Sequence, residues 1–403
     1  MSLRVGAWTT YLAMMGVWWI WPLERAHAAC TRTLSAGANV ASAVSSAAPG
    51  STICLEGGSF GDVQLNNMTK SPRITLRSVT SQSASIYLRF SGANGITVDS
   101  VTLTGAEFAG ASTKNVTIQN SAFTGSAVFN DLADSNVLLT NNTHNNIQAG
   151  GQYSSPARLH LSYSSATHSG VTIQNSTMDG GSADGVQTGV GVNIIGNVFK
   201  NIREGACSDC HTDAIQLLGA TGTVIQGNYL YSVASGIVAY DGVARVTIEN
   251  NVIDTGGRPW GIELYSDDGS IVRHNTLLYR ANCDYNLACG TISLDHKSSD
   301  PAGRGTVIVD NIATSIDVSS GSTYAQLSNN LIRVGAPSGN ISGTPTYVGG
   351  STPTTFAEFE LAAGSLGKGV GTEPAGSDLG VMISSPLPGP RPLPAPSNLR
   401  IAP

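Results

Sequence analysis

The stretch from Cys207 to Leu218 holds the densest group of reactive side chains in this sequence. It reads Cys-Ser-Asp-Cys-His-Thr-Asp-Ala-Ile-Gln-Leu-Leu, in a chain of which only 12% of the residues are charged. It contains two cysteines, a histidine, two aspartates and a glutamine. Residues of these types could form a catalytic strand, a metal site, a haem attachment site or a structural turn, and the surrounding architecture decides among them.

The same stretch matches the C-x-x-C-H pattern of covalent haem attachment through Cys207, Cys210 and His211. Short motifs of this kind also occur by chance, and no apolar pocket is evident around this one. A disulfide between Cys207 and Cys210 explains the cysteines equally well, and zinc would lack a fourth ligand. We expect a disulfide here and no haem c.

Four further segments align with Asp213-Ala-Ile-Gln: Asp184-Gly-Val-Gln, Ser235-Gly-Ile-Val, Trp260-Gly-Ile-Glu and Cys289-Gly-Thr-Ile. Side chains alternate along a strand, so the third residue of each segment should point inward and the fourth outward. This places Gln187, Gln216, Val238 and Glu263 outward on adjacent rungs. Further along the same face come Tyr240, Asp241, Tyr265 and Lys297. At about 4.8 Å per rung, the face can hold several sugar residues.

An internal repeat determines which fold positions these segments. Val116-Thr-Ile-Gln-Asn-Ser-Ala-Phe and Val171-Thr-Ile-Gln-Asn-Ser-Thr-Met are two copies, and an Asn or Ser recurs at positions 121, 142, 176, 197, 228, 251, 275, 311 and 330. The intervals are 21, 34, 21, 31, 23, 24, 36 and 19 residues. Each unit supplies strands and turns and cannot bury its apolar face alone, which predicts an all-β solenoid of parallel strands. Its interior column should contain Ile118, Leu139, Ile173, Ile194, Ile225 and Ile248.

The Asn column should ladder its side-chain amides from rung to rung and should also take the left-handed backbone conformation that sharp corners need. Apolar residues from Val40 to Ala48 have the spacing of one helical face, so a short helix should cap the first rung. Three insertions, at 148–169, 203–211 and 281–289, lead into the outward-facing strand. Insertions on a common side mark a binding face, whose walls would carry Arg158, His160, Arg203 and Glu204.

The first 28 residues have the features of a signal peptide, with a basic start at Arg4, an apolar core and an Ala26-His27-Ala28 cleavage site. We expect cleavage after Ala28, an exported or periplasmic protein, and no membrane span after processing. Export permits disulfides, and the six cysteines form local pairs: Cys30–Cys54, Cys207–Cys210 and Cys283–Cys289. The β-helix domain should cover residues 29–380, and residues 381–403 form a Pro-rich tail.

Lys and Arg number 21 against 27 Asp and Glu, a net charge of −6. There is no clustered basic face, so we expect no nucleic-acid partner. A chain with this charge would not attract a polyanion through its overall field. A polyanionic substrate would therefore need local cations or Ca²⁺.

The Val-Thr-Ile-Gln-Asn-Ser units, the Asn column, the leading helix and the Cys30 to Cys54 opening resemble the secreted right-handed parallel β-helix proteins of the pectate-lyase and alginate-lyase type. The resemblance covers about residues 30 to 335 and implies a protein that acts on polysaccharide. The sequence does not determine the oligomeric state, and we expect a monomer. It is specific for the architecture, but fold does not fix activity.

A lyase or C5-epimerase of uronate polysaccharides must neutralise the substrate carboxylate, remove the C5 proton and, for a lyase, protonate the leaving oxygen. The substrate carboxylate would be neutralised by Arg258 or by Ca²⁺ bound by Asp213, Asp241 and Glu263. The base would be His211 or Lys297, and the acid Tyr240 or Tyr265. Substrate-binding residues would be Gln187, Gln216, Arg258, Tyr265 and Asp184. The alternative for Asp184 and Asp213 is a bond to turn backbone.

Two other functions stay open. Residues His211 to Gln216 also resemble the Asn-Thr-Asp-Gly-Ile-Asp strand of polygalacturonases, which would make Asp213 catalytic. With Glu263 two rungs away, about 9 to 10 Å, an inverting hydrolase is geometrically possible. The third alternative is a non-catalytic, carbohydrate-binding or surface β-helix.

Overall fold

The computed structural model describes residues 29–149, 157–162, 166–205, 211–281, 283 and 287–383. Within them, 32 strands pair in parallel, each with its counterpart one turn of the chain further on. The result is a parallel β-helix with three sheets, A, B and C. The expected signal peptide, the Cys207–Cys210 pair and most of the Pro-rich tail lie outside the described residues.

The strands fall into the three sheets as follows. Sheet A contains β1 (Arg32–Leu34), β2 (Thr52–Leu55), β6 (Lys114–Gln119), β9 (Val137–Thr140), β12 (His168–Gln174), β15 (Gly191–Ile195), β18 (Val224–Gln226), β21 (Thr247–Glu249), β24 (Ile271–Arg273), β27 (Thr306–Val309) and β30 (Tyr324–Ser328). Sheet B contains β7 (Ala122–Phe123), β10 (Thr143–Asn145), β13 (Thr177–Asp179), β16 (Val198–Lys200), β19 (Tyr229–Val233), β22 (Val252–Thr255), β25 (Thr276–Leu277), β28 (Ile312–Ala313), β31 (Leu331–Ile332) and β32 (Ile341–Ser342). Sheet C contains β8 (Ala127–Asn130), β11 (Leu159–Leu161), β14 (Val186–Thr188), β17 (Asp213–Leu217), β20 (Ser235–Ala239), β23 (Trp260–Tyr265), β26 (Thr291–Asp295) and β29 (Ser315–Val318).

The first turns are built from longer strands, β3 (Gly58–Ser78), β4 (Ala84–Asp99) and β5 (Thr102–Ala109). Strand β4 pairs with β6 of sheet A, and β5 pairs with both β7 and β8, so these strands run from one sheet into the next. A short helix, α1 (Val40–Ser46), buries Val40, Ala43 and Val44 in the same core as the strands. It closes the first turn, as expected from its apolar spacing.

The predicted interior column is confirmed. Ile118, Leu139, Ile173, Ile194, Ile225 and Ile248 are register partners on successive strands of sheet A, and all are fully buried. Phe90, Phe108 and Phe129 form a second column, with ring centroids 4.7 and 4.6 Å apart. Stacked identical positions thus fill the core of every turn.

The asparagine ladder is also present, with the intervals read from the sequence. Asn228 donates its backbone N–H to Asn251 Oδ1 at 2.9 Å, and Asn251 donates to Asn275 Oδ1 at 3.1 Å. The left-handed backbone conformation, however, belongs to the preceding residue: φ is 57° at Asn250 and 52° at His274. The ladder residue must keep its amide buried in the turn, so the preceding residue makes the corner.

Of the three insertions, 148–169 contains β11 of sheet C, whereas 203–211 and 281–289 end shortly before β17 and β26 of the same sheet. Disulfides join Cys30 to Cys54 and Cys283 to Cys289, with Cα atoms 5.6 and 5.5 Å apart. In the part of the chain that the structure describes, no helix is both long and apolar enough to span a membrane.

Regular strands end at β32, and residues 343–383 fold back along sheet B. A 3₁₀ helix, Phe356–Phe359, lies in this segment. Phe359 and Val381 pack against Tyr229 and Val252 of sheet B. The buried carboxylate of Asp310 fixes the segment by accepting the backbone N–H groups of Thr372 and Glu373.

Candidate active site on sheet C

The outward face of sheet C carries one column of aligned side chains. Its members are His160, Gln187, Gln216, Val238, Glu263, Ser293 and Asp317, on successive strands. The predicted alignment is right over its first four segments. It is wrong at Cys289-Gly-Thr-Ile, because an irregularity after Trp260 makes Ile292 the partner of Ile262. Ile292 therefore points inward, and Ser293 takes the outward position beside Glu263.

Three members of this column form a hydrogen-bonded row. His160 Nδ1 lies 2.7 Å from Gln187 Oε1, and Gln187 Nε2 donates to Gln216 Oε1. Each glutamine thus has its amide orientation set by a neighbour on the next strand. This row extends over β11, β14 and β17 of sheet C, up to the strand that begins with Asp213.

His211 and Asp213 meet at the start of β17. His211 Nδ1 lies 3.2 Å from Asp213 Oδ2. The Asp213 side chain is 1% exposed, whereas 35% of the His211 side chain is exposed. The hydrogen bond to Asp213 and the charges of Asp213 and Asp184 raise the pKa of His211, against a lowering by burial and by Arg258. Asp213 is therefore placed to act through the imidazole, and His211 is the member of the pair that faces the groove.

Asp184 has a backbone partner. Its Oδ1 accepts the backbone N–H of Asp213 at 2.8 Å, and its side chain is buried. The turn before it is held by Arg158, whose guanidinium donates to the carbonyls of Gly180 and Ala183. Arg158 is fully buried and is not on the groove wall, which corrects the expectation from sequence. Burial lowers its pKa to about 10. Asp184 and Arg158 thus fix the start of the strand that carries Asp213.

Glu263 is the carboxyl with the most altered proton affinity. Burial, with the charges of Asp213 and Asp295, raises the pKa of Glu263 to about 8; the Tyr265 hydroxyl and His211 oppose the shift. Glu263 thus keeps its proton at neutral pH. Asp295 is the register partner of Tyr265 and was not assigned a role from sequence. Its position at the end of a sheet C strand is the sequence feature that could have indicated a role for Asp295.

A cation lies beside the histidine. Arg258 Nε donates to Glu204 Oε1 at 2.7 Å, and the Arg258 guanidinium carbon lies 5.5 Å from the centroid of the Trp260 ring. Its charge is close enough to His211 to lower the pKa of that imidazole. Glu204 and Trp260 thus help to hold Arg258 in place.

The far end of the site carries aromatic rings and an ion pair. The rings of Tyr240 and Tyr265 have centroids 4.7 Å apart, and Tyr240 is 48% exposed. Lys297 Nζ lies 4.1 Å from the Tyr240 centroid and 2.6 Å from Asp241 Oδ1. The hydrogen bond to Asp241 raises the pKa of Lys297, and burial raises the pKa of Tyr265. Both groups hold their protons more tightly than usual.

The proposed calcium ligands do not fit a calcium site. Across the described residues, no three Asp, Glu, His or Cys side chains form a group that could hold a metal ion, so Asp213, Asp241 and Glu263 do not converge. Asp241 follows β20 and pairs with Lys297, while Asp213 lies under His211. No chemical step is therefore assigned to a metal.

The register also changes the geometry of the hydrolase alternative. Asp213 begins β17, whereas Glu263 is a column partner of Gln216, three positions later. Two rungs and three residues separate the Cα atoms by about 14 Å, since strands lie about 4.8 Å apart and rise about 3.3 Å per residue. The estimate from rung count alone, about 9 to 10 Å, omitted this offset.

Comparison with known proteins decides the handedness of the coil. The family model for the right-handed β-helix region matches residues 187–358. The PL6 family polysaccharide lyase Pedsa3628 from Pseudopedobacter saltans is 13% identical, with a TM-score of 0.51 over 82% of this chain and 99% of that chain. This chain is a right-handed parallel β-helix protein. At such identity, the likeness to Pedsa3628 concerns the fold of the β-helix protein alone.

Two further structures are similar at lower scores. The PL6 family alginate lyase AlyGC is 13% identical, with a TM-score of 0.44 over 82% of this chain. The β-helix protein spans only 56% of the length of AlyGC. The mannuronan C-5 epimerase AlgE6 A-module of Azotobacter vinelandii is 14% identical, with a TM-score of 0.43 over 77% of this chain and 96% of that chain. No curated protein matches the β-helix protein in sequence.

Proposed function

We propose that this protein is an exported lyase or C5-epimerase that acts on a uronate-containing polysaccharide. The observation that carries the proposal is the placement of a histidine backed by a buried carboxylate, an arginine and a buried glutamate on one face, within three successive rungs. A base, an acid and a cation are what proton removal next to a carboxylate requires. The name of Pedsa3628, a polysaccharide lyase, agrees with this substrate class.

In the lyase reaction, His211 removes the C5 proton, and the electron pair of that C–H bond forms the C4–C5 double bond. The C4–O4 bond breaks, and the leaving oxygen takes a proton from the carboxyl of Glu263, or from Tyr265 beside it. In the epimerase reaction, a proton returns to C5 on the opposite face and O4 stays attached. Asp213 orients His211 and is a positioning residue.

Arg258 is the group we assign to the substrate carboxylate. The guanidinium offers paired donors that match a carboxylate, and its position beside His211 puts charge stabilisation next to C5. Lys297 already pairs with Asp241 and holds its proton, which argues against its use as the base. We assign Lys297, Tyr240, Gln187 and Gln216 to binding of neighbouring sugar units.

The hydrolase alternative receives less support. An inverting hydrolase needs an acid and a base that both reach the glycosidic bond, but the Asp213 side chain is only 1% exposed. A non-catalytic binding function would use the same polar face without any proton transfer.

Activity on a panel of polymers tests the proposal. The protein would be incubated with alginate, pectate and glycosaminoglycans, with absorbance of unsaturated uronate and reducing ends followed in parallel. New absorbance supports a lyase. Reducing ends without absorbance indicate a hydrolase, and binding with neither signal and no change in uronate epimer composition indicates a binding module.

A further inference from the structure

A cavity of about 470 Å³ lies between sheet B and the folded-back segment, on a different sheet from the candidate active site. One wall is the outer side of β25, β28 and β31, and the other is formed by residues within 343–359. Leu278, Ile312 and Phe359 supply apolar lining. The cavity opens to solvent, since Arg333 and Tyr279 in its lining are exposed, and its volume falls in the range of small-molecule sites, about 300 to 1,000 Å³.

Arg333 and Tyr347 bring a cation and a phenolic hydroxyl to the lining of this cavity. Within the described part of the chain, Arg333 is the one charged lining residue, and its guanidinium carbon lies 3.6 Å from the centroid of the Tyr279 ring. Among the described residues, no carboxylate pairs with Arg333, and no group hydrogen-bonds to the Tyr347 hydroxyl. Burial raises the pKa of Tyr347, so its hydroxyl remains a donor. The cavity thus combines an apolar body with one cation and one hydroxyl.

We propose that this cavity binds a compact amphipathic organic anion, namely a carboxylate on a short acyl chain or a single aromatic ring. The apolar walls would take the chain or ring, while Arg333 and Tyr347 would bind the carboxylate. Stacking on Tyr279 holds the guanidinium flat and in place before a ligand arrives.

The charge of the Pro-rich tail argues against that tail as the occupant. Residues 384–403 contain two arginines, Arg391 and Arg400, and no Asp or Glu. A cationic segment would bring like charge towards Arg333, whereas a carboxylate supplies the missing counter-charge. This inference is independent of the proposed lyase function, because none of its residues belongs to the site on sheet C.

Calorimetric titration with octanoate tests the inference, with 1-octanol as an uncharged probe of equal chain length. The full chain should bind octanoate with Kd on the order of 0.1 mM, as a small ligand in a preformed pocket would. Arg333→Gln should weaken octanoate binding about tenfold or more and leave octanol binding unchanged. Tyr347→Phe should weaken octanoate binding less.

Arg304→Gln is the matched control, because Arg304 is 72% exposed and pairs with Asp268 away from the cavity; it should bind octanoate like the parent protein. The inference is overturned if the parent protein does not bind octanoate, or if Arg333→Gln binds it equally well. It is also overturned if a synthetic peptide of residues 384–403 displaces octanoate.

Discussion

His211 Nδ1 and Asp213 Oδ2 lie 3.2 Å apart, with the carboxylate buried and the imidazole half-exposed. The carboxylate thus orients the imidazole through Nδ1. This arrangement distinguishes the roles of the two residues, because one touches the substrate and the other orients it.

Asp213→Asn should therefore lower the rate and shift its pH dependence. The bond to Asp213 raises the pKa of His211, so its loss should lower that pKa and move the acid limb of the pH–rate profile to lower pH. The rate should fall about 10²-fold, typical for acid–base catalysis. NMR titration of the imidazole measures the shift directly. Asp268→Asn, on an exposed turn, is the control, and an unchanged His211 pKa in Asp213→Asn would contradict the assigned role.

Glu263 should make the protein less stable as the pH rises. Its folded-state pKa is about 8, against an ordinary value of 4.5. Between these values the folded protein holds a proton that the unfolded chain has released, so each pH unit removes about 1.4 kcal/mol from the free energy of unfolding. Glu263→Gln should lack this loss and exceed the parent protein in stability at pH 8, but not at pH 4.

Urea unfolding across this pH range measures the effect, with Glu56→Gln on the exposed first turns as the control. Parallel stability curves for Glu263→Gln and the parent protein would show that Glu263 is ionised in the folded state. A Glu263 that is ionised at neutral pH could not serve as the proton donor.

His144 should make the protein less stable as the pH falls. It is fully buried in the core, stacked on Phe123 with ring centroids 4.3 Å apart, and neither ring nitrogen has a hydrogen-bond partner. Burial, with the charge of Arg158, lowers its pKa from 6.5 to about 3. The unfolded chain therefore takes up a proton that the folded core excludes, and stability falls as the pH drops from 6.5 to 3.

His144→Phe should remove that acid sensitivity, since a phenyl ring can continue the stack on Phe123. His296→Gln is the control, because His296 contacts serine hydroxyls outside the core. Thermal unfolding at pH 4 and pH 7 checks this prediction. It is wrong if His144→Phe loses as much stability on acidification as the parent protein.

Treatment with EDTA tests whether Arg258 or a bound Ca²⁺ neutralises the substrate carboxylate. Because the described carboxylates do not converge on a metal site, activity should survive EDTA. Arg258→Gln should lower kcat/KM about 10²-fold, as loss of one transition-state donor does, and Arg304→Gln should not. Loss of activity in EDTA with recovery in Ca²⁺ would instead establish the calcium assignment.

The sequence predicted the architecture well because the repeat recurs in successive turns of the β-helix. Ile225 and Ile248 were placed in one column by period alone, and the intervals of the asparagine ladder match the hydrogen bonds. Two local details escaped this reasoning. The corner conformation falls on Asn250 and not on Asn251, and an irregularity after Trp260 shifts the next rung by one residue.

The candidate site was predictable in location but not in its internal roles. Strand alternation placed Gln216 and Glu263 on one face, which the register confirms. Burial cannot be read from the pattern at a strand start, so Asp213 seemed equivalent to an exposed acid and Arg158 to a groove residue. Both are buried and bonded to the segment from Gly180 to Asp184: Arg158 donates to the Gly180 carbonyl, and the Asp184 carboxylate accepts the backbone N–H of Asp213.

The fate of the substrate C5–H bond tests the central claim most directly. In D₂O, NMR of a uronate polysaccharide treated with the parent protein should show either the vinyl proton of a 4,5-unsaturated unit or deuterium at C5. His211→Ala should abolish that signal, and His296→Ala should retain it. Chain cleavage with every C5–H bond intact, or an undiminished signal in His211→Ala, would contradict proton removal by His211.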